Sequence, residues 1–222
     1  MNMIDCTAVI AAFFCAQALG QPLRGGIPAT LPTVQVNESG QLTGHYSDTR
    51  FMKCFLSELQ QKIHWKSYPT ARLIQEVKNN KLDIIFPMGF TQERRDQLIQ
   101  SEHVELIEDY WVYKGAKPDV TAKSVSIGVK LGSPQEFYVK QQDYENIVRH
   151  NDYVGLYKML LAGRVQVIAL PDMAYIGLVD QFGKEKTQFT PFLQRGYGFY
   201  LSPKSTPEFI KKINEVTVTC RL

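Results

Sequence analysis

The chain has 222 residues, of which 44% are hydrophobic and 21% charged, and its formal net charge is +3. This composition is typical of a globular protein and excludes a disordered, collagen-like or coiled-coil chain. The 25 basic residues are balanced by 22 acidic ones and are scattered along the chain, so the charge does not indicate a dedicated nucleic-acid-binding protein. The length allows one ordinary domain or two small lobes.

An apolar stretch covers residues 7–20, which is too short to span a bilayer but matches the hydrophobic region of a signal peptide. Asp5 argues against export, since no Lys or Arg precedes the stretch; a buried N-terminal helix is the alternative. We predict that residues 1–20 are a signal peptide and that the mature protein is periplasmic. Cys54 and Cys220 would then either pair in the oxidising compartment or remain two separate buried thiols.

Predicted strands and helices alternate along the chain, and capping residues mark several helix starts. The first half contains a helix from Ser47 or Asp48 to about residue 63, a helix opened by Pro69 and ending at residues 79–80, a buried strand at 82–86, a helical turn from Thr91 and a strand at 104–113.

A polar segment with Gly and Pro, residues 114–123, is the best linker candidate, and a second alternating run follows it. That run contains a strand at 125–129, a helix begun by Ser133, Pro134 and Glu136, a helix from Asp152 to 161, a buried strand at 165–170, a helix from Asp172 to about 182, a strand at 189–201 and a last helix opened by residues 205–208.

Residues 72–86 resemble residues 155–169, which weakly supports two similar halves. The predicted fold is therefore α/β with two lobes, joined by two extended hinge segments and separated by a ligand cleft. Lobe I comprises residues 21–111 and 200–222, and lobe II comprises residues 112–199. Ligands of open α/β sheets bind beyond the carboxyl ends of the strands.

Three polar side chains follow predicted strands and are candidates for ligand binding. Arg94 lies in a first helical turn, where the helix dipole disfavours a cation unless an anion binds beside it. Ser133 starts a helix whose free N–H groups suit an anion, and Asp172 could pair with an ammonium group. Each has a simpler interpretation: Arg94 as a surface arginine, and Ser133 and Asp172 as ordinary helix caps.

Taken together, the motifs K-L-D-I-I-F (81–86), T-Q-E-R (91–94), V-K-L-G-S (129–133) and A-L-P-D (169–172) resemble the periplasmic solute-binding proteins of amino-acid ABC transporters, family 3. The resemblance covers about residues 23–215. It implies that Arg94 holds a ligand carboxylate, that Ser133 with the adjoining Pro134 contacts that carboxylate from lobe II, and that Asp172 binds the ligand ammonium. Pro87 and Gly89 lie where the family contacts the ligand.

The chain departs from the family in two places. Thr30 stands where the family usually has an aromatic residue that stacks on the ligand, so Tyr46 is expected to supply that wall. The segment W-K-S-Y-P-T-A-R (65–72) resembles a divergent variant and makes Arg72 a second anion-binding candidate, or else a helix-surface arginine.

The sequence predicts no cofactor and no metal site, because the four histidines lack metal-binding spacing and no C-x-x-C pair occurs. The expected function is capture of a small amino acid or related carboxylate by lobe closure, by a monomer that serves an ABC permease and does not act as an enzyme. The alternatives are a dehydratase-like periplasmic enzyme, for which Glu93, His45 and Asp172 are the candidate acid–base groups, and a stand-alone sensory module.

Overall fold

A computed structural model describes residues 21–29, 31, 34–44, 50–183 and 186–221. The predicted signal peptide, the caps Ser47 and Asp48, and both Thr30 and Tyr46 lie outside these ranges. The helices are α1 (Arg50–Leu59), α2 (Thr70–Lys78), α3 (Gln92–Arg95), α4 (Pro134–Gln141), α5 (Tyr153–Leu161), α6 (Asp172–Phe182) and α7 (Pro207–Cys220). The strands are β1 (Leu23–Pro28), β2 (Gln35–Val36), β3 (Leu42–Thr43), β4 (Ile63–Tyr68), β5 (Ile84–Gly89), β6 (Ile99–Tyr113), β7 (Ser126–Lys130), β8 (Asn146–His150), β9 (Val167–Pro171) and β10 (Gln188–Leu201).

Eight of these strands form one sheet in the order β4-β1-β5-β10-β6-β9-β7-β8. At one end β4, β1 and β5 are parallel, and at the other end β9, β7 and β8 are parallel. The long strands β6 and β10 lie antiparallel between these two groups and pair along most of their length. The two parallel groups are the centres of lobes I and II, and the two long strands are the connections between them.

Each lobe has its own hydrophobic core. In lobe I, the apolar face of α1 buries Phe51, Met52, Phe55 and Leu59, which recur at helical spacing. Phe55 stacks on Phe199 of β10 with ring centroids 4.4 Å apart, and Phe199 stacks in the same way on Phe86. In lobe II, α5 and α6 pack around the buried strand β9. The two lobes are thus built around different hydrophobic clusters, with Met173 of α6 packing against the lobe I cluster.

Three strands of the large sheet, β1, β4 and β8, were not predicted, and neither was the short pair β2 and β3. β1 contains the pair Gly25-Gly26, which weakens any strand signal, and β4 and β8 are sheet edges with polar side chains. The predicted first helix is also too long, because α1 ends at Leu59 and β4 starts at Ile63. The strand predicted at 82–86 extends to Gly89, so Pro87 and Gly89 belong to the strand itself.

Cys54 of α1 and Cys220 of α7 form a disulfide, with Cα atoms 5.6 Å apart. The bond therefore ties the last helix to the first helix of lobe I across a separation of 166 residues.

We expect replacement of both cysteines by alanine to lower the free energy of unfolding by about 2–5 kcal/mol, because the unfolded chain gains entropy when a long loop is opened. Urea denaturation measures this loss, and a reductant should produce a similar loss in the wild type. Equal unfolding midpoints for the oxidised, reduced and substituted proteins would contradict the prediction.

Candidate functional site

A cleft of about 510 Å³, counted with its open mouth, lies between the lobes. Five of the residues predicted from the sequence line it: Pro87, Gly89 and Arg94 from lobe I, and Ser133 and Pro134 from lobe II. Much of the remaining wall is apolar, including Pro28, Ile107, Pro171 and Met173. The cleft thus combines an apolar body with a few polar groups, as small-molecule sites usually do.

Arg94 is buried in this cleft and is 6% exposed. Thr91 caps the short helix α3 by accepting a hydrogen bond from the Arg94 amide, which fixes the position of the arginine directly after β5. Its guanidinium donates to the carbonyl oxygens of Gly89 (2.6 Å) and Gly132 (2.8 Å). Burial lowers the pKa of Arg94 to about 10, so it remains charged at neutral pH.

The turn after β7 forms part of the lobe II wall of the cleft. Gly132 has a φ of 70°, a left-handed conformation that favours glycine and that directs its carbonyl to Arg94. Ser133 is the N-cap of α4, and its hydroxyl accepts a hydrogen bond from the Glu136 amide (3.1 Å). Pro134 occupies the first helical turn, as predicted. The hydroxyl of Ser133 is therefore engaged with its own helix while the residue lines the cleft.

Gly89 ends β5 at a point of close approach between the lobes. A Cβ atom added there would overlap Nη1 of Arg195 and would lie 2.9 Å from the Pro134 ring. The absence of a side chain at this position therefore lets Arg195 and α4 come close to the strand.

Asp172 is not among the residues that line the cleft. Pro171, one residue earlier, faces the cleft, while Asp172 is the first residue of α6. Its carboxylate turns back to accept hydrogen bonds from the amides of Met173 (2.6 Å) and Glu108 (3.4 Å), and burial raises its pKa. The expectation that Asp172 holds a ligand ammonium thus has no direct support from its position.

Arg72 also lies away from the cleft lining, on the exposed face of α2. Its side chain contacts Glu76 one turn later (3.4 Å) and lies over the ring of Tyr68 (5.3 Å). This geometry favours the helix-surface interpretation of Arg72.

Lys130 is a cleft residue that the sequence did not indicate. It ends β7, is 5% exposed, and donates from Nζ to the Thr70 hydroxyl of lobe I (3.2 Å). Its ammonium also lies 5.2 Å from the ring centre of Tyr153. Both neighbours are uncharged, and no carboxylate among the described residues forms a salt bridge with Lys130, although the more distant Asp152 raises its pKa slightly against the effect of burial.

Arg195 of β10 and Asp109 of β6 form a second group that sequence reasoning missed. Asp109 is fully buried and accepts hydrogen bonds from Nε (2.7 Å) and Nη2 (2.9 Å) of Arg195 and from Gln135 (2.5 Å). Nη1 of Arg195 is buried without a hydrogen-bond partner, and the residue lines the cleft. A charged residue inside the aromatic strand 189–201 was the available signal for this site.

The burial of Lys130 leads to a pH-dependence prediction. Burial lowers its pKa to about 8, whereas unfolded lysine titrates near 10.4. Between these values the unfolded state binds more protons, so stability increases as the pH rises. Relative to Lys130→Met, the free energy of unfolding of the ligand-free protein should increase by about 2–3 kcal/mol between about pH 7 and pH 10.

Urea denaturation over this pH range provides the measurement. The exposed Lys158, on α5 of the same lobe, provides the control, because a Lys158→Met variant should keep a constant difference from the wild type. A constant difference for Lys130→Met as well would contradict the prediction.

The family model of the bacterial extracellular solute-binding proteins, family 3, matches residues 23–221. The chain therefore belongs to this family of extracellular ligand-binding proteins. In the part of the chain that the structure describes, no helix combines the length and the apolar character needed to cross a bilayer. A comparison with curated protein sequences found no match.

Solved structures with the same two-lobe fold include an ancestral arginine-binding protein bound to arginine, which is 23% identical, has a TM-score of 0.75 and is matched over 90% of this chain and 92% of that chain. ArtJ of Geobacillus stearothermophilus, which binds arginine, lysine and histidine, is 17% identical, with a TM-score of 0.74 and coverage of 90% and 89%. A histidine kinase sensor domain is 10% identical, with a TM-score of 0.77 and coverage of 91% of each chain. At these identities the likeness concerns the fold.

Proposed function

We propose that the protein captures a small carboxylate, either an amino acid or a related acid, in the cleft between its lobes. One observation carries the proposal: the Arg94 guanidinium is buried in the cleft and bonds only to backbone carbonyls, without a paired carboxylate among the described residues. A buried cation is costly unless an anion compensates it. A ligand carboxylate would supply that anion and would accept the charge-assisted hydrogen bonds that arginine makes best.

Capture by closure is supported by direct bonds between the lobes. Arg94 of lobe I donates to Gly132 of lobe II, and Lys130 of lobe II donates to Thr70 of lobe I. Both bonds lie at the cleft, so a ligand bound there would touch both lobes and favour the closed arrangement. The long strands β6 and β10 would act as the hinge, at about residues 109–114 and 195–201.

A thermal-shift panel tests this function. Protein freed of ligand by unfolding and refolding is heated with single amino acids and with small mono- and dicarboxylates. A ligand that binds only the folded state at a hundredfold excess over Kd adds about 2.7 kcal/mol of stability, which raises the Tm by several degrees. If no compound of either class raises the Tm, the proposal is wrong.

We further propose that the protein is periplasmic, monomeric and the substrate-binding partner of an ABC permease. Family membership supports an extracellular location, and the low charge of the chain gives no reason to expect a nucleic-acid partner. Sequencing of the mature N-terminus would test cleavage near residue 20, and gel filtration would test the monomer. A cytoplasmic, unprocessed product would contradict the location.

A further inference from the structure

Three cations and one carboxylate dominate the charge of the cleft. Arg94 and Lys130 are buried, the side chain of Arg195 is 10% exposed, and all three line the cleft. Asp109 pairs with Arg195, so this pair is neutral, and Arg94 and Lys130 leave a charge of about +2. None of the described residues that line the cleft is acidic.

The uncharged partners of these cations do not offset that charge. Arg94 bonds to two carbonyl oxygens, and Lys130 contacts a hydroxyl group and an aromatic ring. Burial lowers the pKa of both Arg94 and Lys130, and the cation beside each, Arg195 and Arg94 respectively, lowers it further. Glu93 and Asp152 act in the opposite direction, but neither lines the cleft. Two negative charges from a ligand would balance the site.

Arg195 presents a free donor to such a ligand. Two of its nitrogens bond to Asp109, while Nη1 is buried without a partner beside Gly89 and Pro134. A buried donor that lacks an acceptor is destabilising, and a ligand oxygen would remove that penalty. The structure thus contains a donor that is oriented by Asp109 and has no acceptor among the described residues.

An ammonium group has no free carboxylate to pair with in the described part of the cleft. The carboxylate of Asp109 is shared by Arg195 and Gln135, and that of Asp172 bonds to two backbone amides outside the lining. A ligand ammonium would therefore lie among like charges. A ligand with a cationic side chain would need a free carboxylate in the cleft, and no described lining residue supplies one.

From this geometry we propose that the cleft is specific for a small organic dicarboxylate without an amino group. One carboxylate would bind Arg94 and the unpartnered nitrogen of Arg195, which both lie beside Gly89, the second would bind Lys130, and the carbon chain would pack on apolar wall residues such as Ile107 and Met173. This inference rests on the proposed function and narrows its ligand class.

Isothermal titration calorimetry with ligand pairs that share a carbon skeleton tests the specificity. Succinate is compared with aspartate, and glutarate with glutamate; arginine and sulfate are included as a cationic amino acid and as a dianion without a carbon chain. We expect each dicarboxylate to bind at least about tenfold more tightly than its amino-acid counterpart, because the ammonium finds no free carboxylate. Tighter binding of an amino acid or of sulfate would overturn this inference but leave capture in the cleft intact, whereas no binding by any compound would overturn both.

The variant Lys130→Met tests the second anionic site separately. Its affinity for the dicarboxylate should fall about 10- to 100-fold, since one charge-assisted contact is lost, while its affinity for a monocarboxylate such as butyrate should change little. Lys158→Met on the exposed face of α5 is the control and should bind both as the wild type does. Equal losses for both ligands would overturn the assignment of Lys130 to a second carboxylate.

Discussion

Replacing Arg94 by alanine is expected to weaken binding of the best carboxylate ligand by about 30- to 1000-fold. Removal of one partner of a buried, hydrogen-bonded charge pair costs about 2–4 kcal/mol, because the other charge is left buried and unpaired. Calorimetric titration of the strongest compound from the thermal-shift panel gives the ratio of Kd values directly.

Two further variants make this result specific. Arg94→Lys keeps the charge but loses the planar pair of donors, so its affinity should lie between those of the wild type and the alanine variant. Arg95 follows Arg94 in α3 but is exposed, and Arg95→Ala should bind normally. Unchanged affinity in Arg94→Ala, or an equal loss in Arg95→Ala, would remove Arg94 from the ligand site.

Asp109→Asn is expected to lower the free energy of unfolding by about 3–5 kcal/mol, the cost of leaving a buried charge uncompensated. Asp109 is fully buried, bonds twice to Arg195, whose side chain is only 10% exposed, and also accepts from Gln135. The three residues join β6, β10 and α4, so the loss affects the two long strands and lobe II together.

Urea denaturation measures the loss, and the exposed pair Lys211–Glu215 supplies the control, since Glu215→Gln should cost no more than about 1 kcal/mol. The double variant Asp109→Asn, Arg195→Met should recover part of the lost stability, because it removes the unpaired cation as well. A single variant as stable as the control would show that the buried pair contributes little.

The part of the site that the sequence predicted is the part encoded by local signals. Arg94 and Ser133 were found because each follows a predicted strand and begins a helical turn, and the family resemblance gave both a role. Capping chemistry is local, so Ser133 and Pro134 are at the positions the sequence predicted. The two-lobe α/β fold is confirmed. It could be predicted because the alternation of strand and helix patterns marks most of its elements.

The residues that could not be predicted depend on long-range pairing or on a single position. Asp109 and Arg195 are 86 residues apart and meet only because β6 and β10 pair antiparallel, with Leu193 opposite Asp109. At the end of β9, a shift of one residue decides which side chain faces the cleft. Pro171 lines the cleft, and Asp172 is the first residue of α6. Nothing in the local sequence distinguishes these two outcomes.

The connection of α7 to α1 has a consequence for the order of assembly during synthesis. Lobe I needs Phe199 and Leu201 from β10 and Ile213 and Val216 from α7 to complete its core, while most of lobe II precedes them along the chain. A chain that emerges from its N-terminal end can therefore finish lobe II first, and its first core must stay open until the last helix arrives. During that interval Cys54 cannot yet form its disulfide with Cys220. A chaperone or an oxidase that acts on the protein at this stage would therefore bind lobe I before its core is complete.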